Sequence, residues 1–176
     1  MSVTLDLMRH GEPVGGRKYR GQIDDPLSEK GWAQMRAAVS IAGRHNLPLA
    51  FDSRLQEVGF GVWEGKTAVE IEEETPGTLA RFKADPVHAR PEGAEPLAAF
   101  QARVAAGLET VVATSQDQHV LVVGHAGVVR MALAWALHIP LQYAYRIEVA
   151  SASLTRLRFS KGHASLIFHG GSLPGQ

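Results

Sequence analysis

Val3-Thr4-Leu5-Asp6-Leu7-Met8-Arg9-His10-Gly11 is the stretch on which the fold turns. Val3, Leu5 and Leu7 alternate with Thr4 and Asp6, the period of a strand, and the pattern stops at Arg9-His10-Gly11. The same plan returns far along the chain, where Val120-Leu121-Val122-Val123 runs into Gly124-His125-Ala126-Gly127. An unbroken apolar run of this length predicts a strand buried on both faces. The residues after Gly127 are apolar nearly all round, which predicts a buried helix.

Between these strands the pattern is mainly helical. Residues 13–27 are rich in Gly, Pro, Asp and Arg and read as a loop. Ser28 is the expected N-cap of a helix carrying Trp32, Met35 and Val39. Asn46 to Asp52 reads as a connection, and Leu55 to Trp63 as a loop with some extended character. Thr67 predicts a helix through Glu74, Thr78 to Ala84 a second, and Leu97 to Val112 a third with Phe100, Val104 and Leu108 on one face. Ser153 to Phe159 and Ser165 to Phe168 read as closing strands. The order predicts one α/β domain over residues 1–176, in three layers, with a mostly parallel sheet flanked by helices.

His10 and His125 then occupy equivalent places, each just past the end of a strand and beside glycine. Open α/β sheets bind ligands outside the carboxyl ends of their parallel strands. If the two strands are parallel neighbours, both imidazoles face one crevice. Gly11 and Gly127 are expected to let backbone N–H groups approach a ligand, and the helix after Gly127 offers its positive end. Arg9 adds a guanidinium suited to phosphate oxygens. Either His-Gly alone reads equally well as a turn; the pair with Arg9 favours an anion pocket holding a nitrogen nucleophile. A two-histidine metal site needs further ligands at suitable spacing, and the sequence offers none. No metal or cofactor is expected.

Eighteen basic residues balance eighteen acidic ones. No charge excess points to nucleic acid or to an anionic membrane surface. The longest apolar stretch, Val128 to Leu137, is interrupted by Arg130 and is too short to span a bilayer. No signal peptide is expected. The absence of cysteine excludes disulfides and cysteine nucleophiles, and is compatible with the expected cytoplasmic location.

At Leu7-Met8-Arg9-His10-Gly11-Glu12 the chain resembles the histidine phosphatase, or phosphoglycerate mutase-like, superfamily. The resemblance continues through Gly21-Gln22-Ile23-Asp24-Asp25-Pro26-Leu27-Ser28, Gly31-Trp32-Ala33-Gln34, the stretch Leu55 to Gly65, and Val120 to Arg130. A closer resemblance, to alpha-ribazole phosphatases of cobalamin synthesis, rests on Arg20 to Asp25, Gly31 to Arg36, Arg81 to Pro86 and Pro91 to Pro96. The resemblance implies that His10 is a nucleophile, Arg9 a phosphate clamp, and His125 a stabiliser of the transferring phosphoryl group. It implies that Glu57 is the proton donor and later the base. Gly21, Gln22 and Ala126 would contact the phosphate. Glu64 is the competing carboxylate, Trp63 is expected to pack the loop, and Glu12 to support His10.

One element of the family pattern is absent. Members carry a Ser-Ser-x-Leu-x-Arg-Ala-like strand and turn that supplies a second phosphate-binding arginine. Here the chain passes almost directly from Trp32-Ala33-Gln34-Met35-Arg36-Ala37-Ala38-Val39 to Ile41-Ala42-Gly43-Arg44, so the segment is missing near residues 39–41. A natural deletion, an engineered one or an omitted stretch would each leave this junction. Arg20, Arg44 and Arg54 lie near it in sequence, and none sits in the motif. The implied function is hydrolysis of a small-molecule phosphomonoester, with alpha-ribazole 5′-phosphate the best single substrate. A broad-specificity phosphatase, a phosphoglycerate mutase and an inactive phospho-ligand binding protein are the alternatives. Oligomeric state is left open, a homodimer included.

Overall fold

The computed structural model describes residues 2–44 and 49–172, with the side chains at 37, 39 and 41–44 outside that description. The expected contribution of Val39 and the start of the Asn46–Asp52 connection therefore lie outside the described residues. Strand β1 (Ser2–Arg9) is central. It pairs in parallel with β2 (His119–Gly124) and antiparallel with β3 (Leu154–Ser160), which pairs antiparallel with β4 (His163–Gly171). The order β2-β1-β3-β4 makes the sheet mixed, which corrects the expectation of a mostly parallel one. The reason is local. Lys161 and Gly162, both at positive φ (51° and 78°), join β3 to β4 in two residues. So short a turn can only reverse the chain, whereas a parallel pair needs a long crossover. For β1 and β2 that crossover consists of α1 (Glu29–Arg44), α2 (Ala68–Glu74), α3 (Thr78–Ala84) and α4 (Leu97–Thr114).

Three layers follow from the alternation of β1. Leu5 and Leu7 join Leu157 in the larger core with Phe100, Val104 and Leu108 of α4. Val128, Met131 and Leu133 of α5 (Ala126–Ala136) complete it. Each of these side chains, taken from water, contributes about 1.5–3 kcal/mol. On the reverse face Met8 and Leu154 pack with Met35 and Ala38 of α1. Trp32, expected on the same helical face, is exposed. Among the described residues no helix is long and apolar enough to cross a membrane.

The first turn of α1 is locked to the loop after β1. Ser28 caps it, its Oγ accepting the Gly31 N–H at 3.0 Å while its hydroxyl donates to the Glu12 carbonyl at 2.9 Å. A Cβ at Gly11 would collide with the Gly31 carbonyl, and one at Gly31 with the Glu12 carbonyl. Gly31 inside a helix costs about 1 kcal/mol relative to alanine, and this close approach is what it permits. Helix α1 runs on through residues 39–41 without a break.

Strand β2 differs from its expectation of burial on both faces. It is an edge strand, and Val123 on its α1 face is 50% exposed. Among the described residues no strand pairs with its outer edge, and Val120, Leu121 and Val122 are only partly buried, the first and third against the larger core and Leu121 against the smaller. Phe51, at 92%, and Leu49 are exposed as well.

Asp6 joins three strands on the α1 face. Its carboxylate accepts both Nε and Nη2 of Arg156 on β3, at 2.7 and 2.8 Å, and lies 2.8 Å from His119 Nε2 on β2. Burial pushes its pKa up, but the bonds to Arg156 and His119 outweigh burial and hold it below the usual range. A carboxyl depressed in the folded state adds stability above its unfolded pKa, about 3.9, and loses it as the pH falls through the folded value. Asp6→Asn is expected to cost about 2 kcal/mol at pH 7, between the ranges for exposed and fully buried pairs. Urea denaturation at pH 6 and pH 3 checks this. The variant should show a shallower acid loss than wild type, and parallel pH dependence of the two would refute the assignment.

Candidate active site

The register of β1 and β2 builds the site. Arg9 lies opposite Gly124, and the His10 N–H donates to the Gly124 carbonyl at 2.8 Å, carrying the pairing one residue past the strand end. The residues that follow are therefore neighbours. The rings of His10 and His125 meet edge to face with centroids 5.2 Å apart. His10 Nδ1 lies 2.7 Å from the Gly11 carbonyl. A carbonyl only accepts, so Nδ1 carries the hydrogen and Nε2 keeps a free lone pair. Burial lowers the His10 pKa; the Gly11 bond opposes this, and His125 and Arg9 add to the lowering.

His125 is the N-cap of α5, in an extended conformation that its helical successors do not share. Burial and then Arg9 lower its pKa, with Asp24 acting in the opposite direction. Ala126 is the first residue of α5, at the positive end of the helix. Among the described residues the Arg9 guanidinium makes one bond, Nη1 to the Val149 carbonyl at 2.6 Å, and its enclosed Nε has no partner.

Glu57 reaches the same place from the loop side. One carboxylate oxygen accepts the Val58 N–H at 2.9 Å and the other the Gly127 N–H at 3.1 Å. Burial raises its pKa, opposed by those two N–H groups and then by Arg130 and Arg9. A Cβ on Gly127 would collide with the Glu57 carboxylate. This revises the reading of both glycines. Gly127 admits Glu57 to the first turn of α5, and Gly11 admits α1, where a ligand was expected.

The other expected residues have contacts of their own. Glu64 is a staple: its Oε1 accepts the Phe60 N–H at 2.9 Å and lies 3.4 Å from the Gln22 N–H. Gly21, at φ 57°, has no space for a Cβ beside that carboxylate. Gln22 is exposed, with its amide 3.5 Å from the Glu57 carbonyl. The Glu12 carboxylate pairs with Lys30 at 2.6 Å, so its support of the His10 loop runs through its main chain. Trp63 is buried in an aromatic cluster with Tyr19 and Phe82. Arg20 is tied to Asp25 and to the carbonyls of Val14 and Gly16, and Arg54 to Asp52, Ala106 and Thr110. The Arg44 side chain lies outside the described residues.

Two residues of consequence escaped the sequence reading. Arg103 of α4 donates to the carbonyls of Arg54, Gln56 and Glu57 and pairs with Glu95, so it fixes the segment that carries Glu57. A lone arginine in a mostly apolar helix is a visible anomaly, but its partners are remote in sequence. Arg130 of α5 lies beside Tyr145, its guanidinium 5.3 Å from the ring centroid, with Nε donating to the Ile147 carbonyl at 2.9 Å. Among the described residues no cluster of three or more His, Asp or Glu could hold a metal ion.

A cleft with a free imidazole nitrogen, guanidinium groups and a carboxyl biased toward protonation can bind a phosphate ester and exchange a proton with it. Comparison with known proteins agrees. The adenosylcobalamin/alpha-ribazole phosphatase of Salmonella typhimurium is 27% identical over 191 aligned positions, covering 93% of this chain and 94% of that protein. That alignment is longer than the 176-residue chain, so it includes positions with no counterpart here. Phosphoserine phosphatase 1 of Hydrogenobacter thermophilus is 30% identical, covering 70% and 71% of the two chains. The chain spans about half the length, 52%, of the first curated relatives it matches, among them a bifunctional protein of Mycobacterium tuberculosis. The structure of Bacillus stearothermophilus YhfR superposes with a TM-score of 0.86 at 26% identity, over 96% of this chain and 97% of the other. The model of the histidine phosphatase superfamily, branch 1, matches residues 36–170, a stretch that begins after His10 and includes Glu57 and His125, and the chain belongs to that superfamily.

Proposed function

We propose that this chain hydrolyses small phosphate monoesters through a phosphohistidine on His10. The observation that carries the reading is the meeting of the His10 and His125 rings beside a carboxyl, Glu57, whose pKa burial raises. The Nε2 lone pair of His10 attacks phosphorus as the ester P–O bond breaks, and Glu57 gives its proton to the leaving oxygen. Water then attacks phosphorus, Glu57 takes back a proton, and the P–N bond breaks to release phosphate. Arg9, His125, Gly21, Gln22 and the N–H of Ala126 hold the phosphoryl oxygens, whose charge needs electrostatic clamping more than covalent help. Arg9 supplies the cationic contact and His125 a ring nitrogen, so the scheme calls on no metal ion.

Alpha-ribazole 5′-phosphate is the substrate we favour, on the resemblance of Arg20 to Asp25, Gly31 to Arg36, Arg81 to Pro86 and Pro91 to Pro96 and on the Salmonella relative. The Hydrogenobacter relative, a phosphoserine phosphatase, supports a broader range. In this reading the strand and turn that carry the family's second arginine are absent near residues 39–41. The unbroken α1 and the alignment positions without a counterpart support that view. The same absence motivates the alternative of a phospho-ligand binding protein without turnover, and release of p-nitrophenol from p-nitrophenyl phosphate separates the two.

With phosphorus-labelled substrate and an alkaline quench, wild type should trap label on His10, because phosphohistidine resists base and yields to acid. His10→Ala should abolish both label and turnover. Comparable activity in that variant would sink the mechanism.

Glu57→Gln should slow alkyl phosphates by about 10²–10⁴ and p-nitrophenyl phosphate far less. A raised carboxyl pKa keeps the acid form available above the usual carboxylate range, so wild-type kcat for alkyl esters should fall only as the pH rises past that value. This limb should vanish in Glu57→Gln; its persistence would assign the proton to another group.

A further inference from the structure

The loss of the family's second arginine leaves a question that the segment from Ile147 to Val149 answers. Arg9 and Arg130 both hang from it. Arg9 Nη1 donates to the Val149 carbonyl at 2.6 Å and Arg130 Nε to the Ile147 carbonyl at 2.9 Å. Between them the Glu148 carbonyl lies 2.7 Å from His169 of β4, on the opposite side. Carbonyls that alternate in this way belong to extended chain, in which residues i and i+2 face the same side about 7 Å apart. Ile147 is itself extended. The two guanidinium groups are therefore side by side, held by their backs to one length of main chain.

What Arg130 leaves over points to a ligand. Its Nε is used, and its ring contact with Tyr145 sets its plane. Its two Nη groups make no hydrogen bond among the described residues. Nor are they enclosed: the enclosed unpaired side-chain nitrogens are Arg9 Nε and Arg90 Nε and Nη1. The Nη groups thus keep some exposure on Arg9's side of a guanidinium whose pKa burial lowers. Burial and then Arg130 disfavour charge on Arg9, so the two cations repel each other in a cleft where Glu57 is pushed toward its neutral form. An arriving dianion relieves that repulsion, and a guanidinium fork matches two of its oxygens.

We propose that Arg130 is a phosphate-contacting residue, its Nη groups binding phosphoryl oxygens next to Arg9 in place of the arginine this chain lacks. This rests on the phosphatase reading for its catalytic consequence, but not for phosphate binding itself. The test therefore uses inorganic phosphate as the probe, read by thermal shift and by competition against p-nitrophenyl phosphate. Arg130→Ala should weaken phosphate at least 10-fold and lower kcat by about 10²–10³. Added guanidinium ion should restore part of both, which it would not do if Arg130 only packed on Tyr145. Should the alanine variant fold poorly, Arg130→Lys decides: it keeps the charge, loses the fork, and should weaken phosphate several-fold. Wild-type phosphate affinity in a folded Arg130→Ala or Arg130→Lys overturns the proposal, and so does a weakened alanine variant that guanidinium does not rescue. A wild type that binds phosphate but neither turns over nor labels His10 overturns the phosphatase reading and leaves the Arg130 contact standing.

Discussion

The bond from the His10 N–H to the Gly124 carbonyl is the constraint on which the site depends. It continues the parallel ladder past the end of β1 and brings together residues separated by more than a hundred positions. A slip of one residue would turn the side chains of β1 to the opposite faces. Leu5 and Leu7 would leave the larger core, and His10 would no longer meet His125. Hydrophobic alternation and the Asp6 ion cluster hold the same register from the two faces, one without direction and the other with the geometry of a bidentate pair.

Burial acts with opposite sign on the two groups that would exchange charge with substrate. It pushes the Glu57 carboxyl up and the His10 imidazole down. Each shift favours the neutral form, the protonated acid and the unprotonated nucleophile. One desolvated cleft produces both states, with no need for separate tuning of each group. The cost appears in the guanidinium groups, which stay charged in the same surroundings and must be strapped to backbone carbonyls.

Local signals made much of this legible. Thr67 and Glu70 form the capping box that starts α2, and Thr78–Ala84 is helical as its pattern indicates. The two strand-His-Gly segments were readable as a pair because each carries its own period and its own break. Sheet polarity was harder. The two-residue turn at Lys161-Gly162 is written in the chain, but the apolar runs around it do not say which neighbour each strand takes. Val120 to Val123 has the composition of an interior strand, and nothing in those four residues reports that the outer edge is open. The partners of Arg103 and Arg130 are carbonyls, which every residue possesses, so no side-chain pattern could announce them. Gly11 and Gly127 were noticed for a need for close approach, and the neighbours that come close are Gly31 and Glu57.

The contact of Gly11 with Gly31 is made by main chain alone. No side chain mediates that close approach, which the Ser28 bonds to Glu12 and Gly31 reinforce at the same end of α1. The described side chains of α1 in the smaller core, Met35 and Ala38, are ordinary packing that other residues can replace. Two parts of the helix are thus held by different means, main chain against main chain beside the nucleophile loop and side chain against side chain at Met35 and Ala38.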